Sequence, residues 1–221
     1  MALSATLRIS EHVTFPSEDE KDPQSRTALV FSLVILGVST LVLVLILTMG
    51  GQRAADFVPD DASPAVRDSV QLTELLQARL KNEIDNGITA IHFYLPQCPC
   101  QALASAHIRD LHRQRPDIGF VIAVPDSATE QQIMTVSTEF PDARVIRSPT
   151  PPPSGPALLL SRAHGDIRYF GAYGRGPGCV LPDPQYFVRL ADALAAQIPP
   201  PAFFNTAVRG CFCPWPQPSA R

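Results

Sequence analysis

Hydrophobic positions along this chain change period several times, and each change marks a different element. From Thr27 to Gln52 no residue carries a charge, and the run TALVFSLVILGVSTLVLVLILTMG, as a helix, is long enough to cross a hydrocarbon layer about 30 Å thick. It exceeds the roughly 7 to 15 residue apolar core of a cleaved secretory signal, and no Ala-x-Ala site follows it, so a retained single-pass transmembrane helix is expected. After Pro64 the period becomes helical. Val66, Val70, Leu72, Leu75, Leu76 and Leu80 predict an amphipathic helix at the start of a folded domain.

From Gly87 onward short apolar runs alternate with helical ones. ITAIHFYL and IGFVIAVP read as buried strands, and CQALASAHIRDLHRQ between them reads as a helix. SATEQQIMTVSTEF predicts a second helix opened by Ser127, with Glu130 in capping-box spacing. ARVIRS offers irregular or strand structure before the proline-rich turn SPTPPPSGP. ALLLSR, AHGD and IRYFGAY form a predicted hairpin, and PDPQYFVRLADALAAQI a closing helix begun near a proline. The order is βαβ, helix, ββα.

Composition sets the segment boundaries. Residues 1–26 are polar, contain SEDEKD and predict a disordered cytoplasmic tail; 27–52 is the membrane span; 53–64 is a linker; 65–198 is the folded domain; 199–221 is a proline-rich tail containing cysteines. Arg8, Lys21 and Arg26 precede the span, and Arg53 and Arg67 follow it, which orients the N-terminus to the cytoplasm. The bulk of the chain is then expected in a bacterial periplasm, anchored to the inner membrane, where dithiols can oxidise. A net charge of -3, without a basic stripe, gives no reason to expect nucleic acid.

The chemistry lies in the cysteines. Of five, two pairs stand one residue apart, Cys98–Pro99–Cys100 and Cys211–Phe212–Cys213, whereas random placement gives about a tenth of one such pair. Cys98 and Cys100 fall where a strand turns into a helix. A thiolate there is stabilised by unpaired N–H groups and the positive end of the helix dipole. Pro99 suits the first helical turn and holds Cys98 extended, so Cys98 is the expected attacking thiol and Cys100 the resolving one. A disulfide between them closes a small ring that should be rather oxidising.

On these residues, the region from Gly87 to Ile198 resembles a thioredoxin-like domain. The strand AIHFYL, the two cysteines at the strand-to-helix junction, Pro156 before the hairpin and Gly165 in its turn carry the likeness. The whole chain is similar to membrane-anchored thioredoxin-like proteins of bacteria with a Cys-Pro-Cys motif. The resemblance implies a three-layer α/β/α domain behind the single N-terminal transmembrane helix, a cis-proline at Pro156 facing the dithiol, and thiol–disulfide oxidoreductase activity on protein thiols or a redox partner, with no cofactor. The sequence departs from the family in two places: one residue, not two, separates the thiols, and Gly155 stands before Pro156 where Thr or Val is common. His92 stands where thioredoxins place a buried acidic residue, which gives it either proton transfer to the resolving thiol or a purely structural place in the strand. His107 and His112 are expected on the following helix, and His164 in the hairpin turn.

The tail leaves three readings open. Cys211 and Cys213 form a second dithiol exchanging with the first, or all of Cys98, Cys100, Cys211 and Cys213 bind Cu(I) or Zn(II) for delivery, or the tail is stapled down by structural disulfides. With structural disulfides only, the domain would be a non-catalytic partner in envelope assembly. Cys179, in GRGPGCV, is left over, with burial as a small apolar residue favoured. The glycines around it lack the Lys-Ser/Thr ending of a phosphate loop, and there is no G-x-S-x-G or H-E-x-x-H.

Overall fold

The computed structural model describes residues 23–51, 54–62, 67–84, 87–148, 152–174, 183, 185–196 and 199–216. Expectations for residues 1–22, for Val66 and for Cys179 lie outside them. Two compact units divide the chain, Met1–Thr48 and Met49–Arg221.

The first unit contains most of helix α1 (Pro23–Gly51). Its stretch Thr27–Leu45 has a mean hydropathy of 2.8 and, by length and composition, is a candidate membrane span, a property a signal sequence shares. Leu, Val, Ile and Phe side chains along it are exposed.

The second unit is built on a six-stranded sheet. Its elements are β1 (Ala54–Asp56), α2 (Ser69–Leu80), β2 (Thr89–Phe93), α3 (Gln101–Gln114), β3 (Gly119–Val124), α4 (Glu130–Glu139), β4 (Arg144–Arg147), β5 (Ser154–Gly155), β6 (Ala157–Arg162), β7 (Asp166–Gly171), α5 (Tyr186–Ala195), β8 (Phe203–Asn205), β9 (Arg209–Cys211) and β10 (Cys213–Pro214). The main sheet runs β4-β3-β2-β6-β7-β8. Strands β4, β3 and β2 are parallel, β6 and β7 form the antiparallel hairpin, and β8 joins β7 in parallel. This is a mixed α/β fold.

Alternation along β2 sorts the core into two layers. Ile91, Phe93 and Leu95 point to one side, where Leu72, Leu76 and Leu80 of α2 pack with no exposed surface. Each such leucine contributes about 1.5–3 kcal/mol by leaving water. Ala90 and Tyr94 point to the other, against Ala104, Ile108 and Leu111 of α3, Val136 of α4 and Phe187, Ala191 and Leu194 of α5.

Two local expectations are corrected, and one alternative left open by the sequence is decided. The helix after β3 starts at Glu130 with Thr129 as its cap, and Thr129 and Gln132 form the capping box, two positions beyond Ser127 and Glu130. Thr129 prevails because its hydroxyl accepts from the Gln132 N–H at 3.2 Å while the Gln132 side chain accepts from the Thr129 N–H at 2.8 Å. ARVIRS is an edge strand, β4, in parallel register with β3. The linker and tail also hold regular structure: β1 pairs antiparallel with β9, and β10 with β5. At the β7–β8 junction Gly171 has φ +139°, and a β-carbon there would stand 2.3 Å from the Asn205 carbonyl oxygen, so only glycine lets the tail strand approach so closely.

Candidate functional site

The site forms at the C-terminal end of β2, where the chain leaves the sheet and turns into α3. Leu95 accepts the Cys98 N–H through its carbonyl at 3.0 Å, and the Cys98 carbonyl accepts from Gln101 at the same distance, which closes the loop into two tight turns. Cys100 is the cap of α3, and Pro99 stands two positions ahead of the first helical residue, not inside the first turn. The placement of both thiols at a helix start, read from the sequence, therefore holds with the helix beginning slightly later.

The sulfur bonds join the two Cys-x-Cys segments to each other, and none links Cys98 to Cys100. Cys98 is bonded to Cys213 and Cys100 to Cys211, with Cα–Cα separations of 5.9 and 5.6 Å. The two Cys-x-Cys segments lie antiparallel, so the first residue of each faces the last of the other. Backbone pairing sets this register: Ala54 pairs with Cys211 through β1 and β9, and Gly155 pairs with Cys213 through β5 and β10. Tail strands on both sides of Phe212 bring its cysteines to the loop, an arrangement no local spacing within 96–101 encodes. The sulfurs of Cys98, Cys100 and Cys213 all lie within 4.8 Å of one another.

Pro156 follows a cis peptide bond from Gly155, as the resemblance implies. The Cys98 sulfur lies 3.8 Å from the Gly155 carbonyl oxygen. Gly155 also explains its own departure from the family pattern. A β-carbon there would meet Cε3 of Trp215 at 3.1 Å and Cβ of Leu95 at 3.3 Å, so the absent side chain makes room for the indole. Trp215 and Phe212 are buried, the first edge-on to Phe93 with ring centroids 6.0 Å apart and the second edge-on to Phe57 at 5.2 Å. Under this cover Cys98 is 5% and Cys100 3% exposed, whereas Cys213 is half-buried.

His92 is fully buried on the face of the sheet covered by α3, α4 and α5, and both its ring nitrogens are engaged. Nε2 is 2.7 Å from Nε2 of Gln101, and Nδ1 is 2.7 Å from the Tyr173 hydroxyl. The Gln101 carbonyl oxygen accepts from the Leu95 N–H at 2.9 Å, which turns the amide NH2 toward the imidazole. His92 Nε2 is therefore an acceptor, and the neutral ring carries its proton on Nδ1. Burial lowers the pKa to about 3, opposed by hydrogen bonding to the Ala157 backbone. Gln101 also donates to Ser105 at 3.2 Å, so the residue next to Cys100 is held from three sides. Nothing in the sequence marks Gln101 or Tyr173, because each acquires its partner across the fold.

His107 and His112 lie on α3, as expected. His107 stacks on Tyr173 with ring centroids 6.0 Å apart, and His112 packs edge-on against Phe120 at 4.4 Å, with Asp142 at 3.7 Å. Residue 164 lies in the 3-10 turn between β6 and β7.

A family model described as a domain of unknown function, DUF6436, matches residues 69–215, which run from α2 to the seated tryptophan. No curated protein sequence matches the chain. Among solved structures, it is similar to a secreted Mycobacterium tuberculosis disulfide oxidoreductase homologous to E. coli DsbE, at 14% identity and TM-score 0.40 over 51% of this chain and 85% of that one. A conserved protein from Geobacillus kaustophilus is 14% identical, with TM-score 0.47 over 62% of this chain and 80% of that one. A putative thioredoxin from Neisseria meningitidis is 12% identical, with TM-score 0.38 over 52% and 78%.

Proposed function

The chain belongs to the DUF6436 family, and from that starting point we propose that it is a membrane-anchored thiol–disulfide exchange protein whose two Cys-x-Cys segments react with one another and with a partner. The observation that carries this reading is the convergence of Cys98, Cys100, Cys211 and Cys213 at a helix start beside the cis-proline.

Cys213, half-buried where Cys98 is buried, is the point of entry for an external thiolate. Attack there forms a partner–Cys213 bond and expels Cys98 as a thiolate, the better leaving group because the helix start stabilises its charge. A second partner thiolate attacks the partner sulfur of that mixed disulfide, releasing Cys213 as a thiolate and leaving the partner oxidised. Two partner thiols become one disulfide, and the Cys98–Cys213 disulfide becomes two thiols. In the reverse direction Cys213 attacks a partner disulfide and Cys98 then attacks the Cys213 sulfur, restoring the Cys98–Cys213 bond and releasing the partner as two thiols; on the fully reduced chain Cys98 attacks instead and Cys100 resolves, leaving a Cys98–Cys100 disulfide. His92 acts here as a positioning residue. Its neutral ring and low pKa suit it to hold Gln101, and through Gln101 the loop carrying both thiols, instead of exchanging protons near neutral pH.

The span Thr27–Leu45 supplies the anchor, and the basic residues ahead of it favour a domain on the periplasmic side of a bacterial inner membrane, where such disulfides persist. A second reading is favoured by the sulfur cluster: thiolates that can approach within 4.8 Å suit a tetrahedral soft metal, whose ligand sulfurs at about 2.3 Å from the ion lie roughly 3.8 Å apart.

Both readings are tested on the full chain in detergent by stepping it through dithiol and disulfide buffers while counting alkylated thiols by intact mass and bound metal by elemental analysis. Exchange predicts reversible reduction of both disulfides without metal. Stoichiometric zinc or copper on the reduced chain, lost in Cys98→Ser and Cys213→Ser, assigns the metal site instead. Thiols that neither oxidise nor reduce reversibly remove the exchange reading.

A further inference from the structure

The tail occupies the site in the manner of a ligand. Strand β10 adds antiparallel to the short edge β5, with Cys213 opposite Gly155 and Pro214 opposite Ser154, immediately before the cis bond at Pro156. Its cysteine is joined to Cys98, the thiol assigned the attack. An extended segment paired to an edge strand and linked by a disulfide to the attacking cysteine has the geometry of a mixed disulfide with a protein substrate, held here within one chain.

Side chains give this segment its specificity. Phe212, directly before Cys213, fills a site against Phe57; Trp215, two residues after, lies over Gly155 and against Phe93. Aromatic anchors in formed apolar seats supply most of the affinity in such contacts. The seated tail also closes the site, since Cys98 and Cys100 are almost without exposed surface. No folded partner reaches them until the tail leaves.

We propose that residues 210–215 are a built-in stand-in for the substrate: the partner is a protein segment in extended conformation whose reacting cysteine is preceded directly by an aromatic residue and followed by another two positions later, and it takes the place the tail vacates. The inference rests on the exchange reading above and specifies its substrate class. Reduction of Cys98–Cys213 and Cys100–Cys211 by a dithiol donor oxidises two donor dithiols and gives four thiols here. The tail is then held without sulfur bonds, by its strand pairing and its two aromatic residues. An incoming segment carrying a disulfide displaces it; Cys98 attacks the segment's cysteine, whose former partner sulfur leaves as a thiolate. Cys100 then attacks the Cys98 sulfur, releasing the segment reduced and leaving Cys98 and Cys100 oxidised.

The test uses the full chain in detergent carrying Cys211→Ser and Cys213→Ser, with fully reduced wild-type chain in parallel in case that variant is poorly folded. Two probe peptides carry a single cysteine activated as a mixed disulfide with a chromophoric thiol, one reading Gly-Phe-Cys-Pro-Trp-Pro and the other with Ser in place of Phe and Trp. Glutathione disulfide serves as a small probe without side-chain anchors. The aromatic peptide is expected to modify Cys98 roughly tenfold faster than the serine peptide. Adding Phe212→Ala and Trp215→Ala to the protein unseats the tail and should raise the rates of all three probes, while the ratio between the two peptides stays at roughly tenfold. Equal rates for the two peptides, with glutathione disulfide reacting, overturn this inference alone. Failure of all three probes to react overturns the exchange reading and this inference with it.

Discussion

Trp215 lies over Gly155, with Cε3 of the indole 3.1 Å from where a β-carbon would stand. The residue before the cis-proline is thus shaped for the far end of the chain. Replacing it by valine adds branched carbon where the indole rests, so Gly155→Val should lift Trp215 and loosen β10. The expected outcome is a roughly tenfold faster reduction of Cys98–Cys213 by a dithiol, followed by timed alkylation. An unchanged rate would show that the indole does not hold the tail in place.

Trp215 is the sole tryptophan and is buried. Its emission therefore reports where the tail is. Reduction of both disulfides should shift that emission to longer wavelength as the indole meets water, and reoxidation should restore it. Emission that stays fixed through a complete reduction would mean that β8, β9 and β10 keep the tail seated without sulfur bonds.

The two disulfides span 111 and 115 residues and lie side by side. In the chain-entropy account the first to form restricts the unfolded chain by about 4.7 kcal/mol, while the second closes only a small ring inside it and adds much less. Cys100→Ser combined with Cys211→Ser should accordingly cost little in a denaturant titration, as should Cys98→Ser with Cys213→Ser. Removing all four sulfurs should cost about 4 kcal/mol or more. Additive losses from the two pairs would mean that they act on separate parts of the fold.

His92 ties stability to pH with a definite sign. Its folded pKa of about 3 lies below the ordinary 6.5, so the folded chain binds fewer protons than the unfolded one between those values. The stabilisation is complete above pH 6.5 and is lost as pH falls toward 3, by about 1.4 kcal/mol per pH unit. Denaturant titrations at about pH 6.5 and 4.5 should differ by about 2 kcal/mol from this group. His92→Gln should flatten that difference even where it lowers stability at both pH values. An equal slope in wild type and variant would assign the pH dependence to the carboxylates.

Much of the domain was legible in the sequence because its signals are local. The alternation in ITAIHFYL, the helical spacing of the leucines in α2 and the strand-to-helix junction at Cys98 each depend on neighbours a few positions away. The cap at Thr129 escaped because Ser127 offers the same chemistry two residues earlier, and only the backbone path chooses between them.

By itself, then, the sequence determined the apolar N-terminal helix, the order of the domain's elements and the presence of two closely spaced thiol pairs. It could not determine which sulfur bonds to which, why Gly155 stands before Pro156, or what faces His92. Those depend on contacts between residues far apart in the chain: β1 with β9, β5 with β10, Gly171 with Asn205, His92 with Gln101 and Tyr173. Such pairings form only when the sheet has assembled and the tail closes over its edge, so the chemistry of the site is a property of the tertiary structure, built from residues whose local patterns show only where each strand and helix begins.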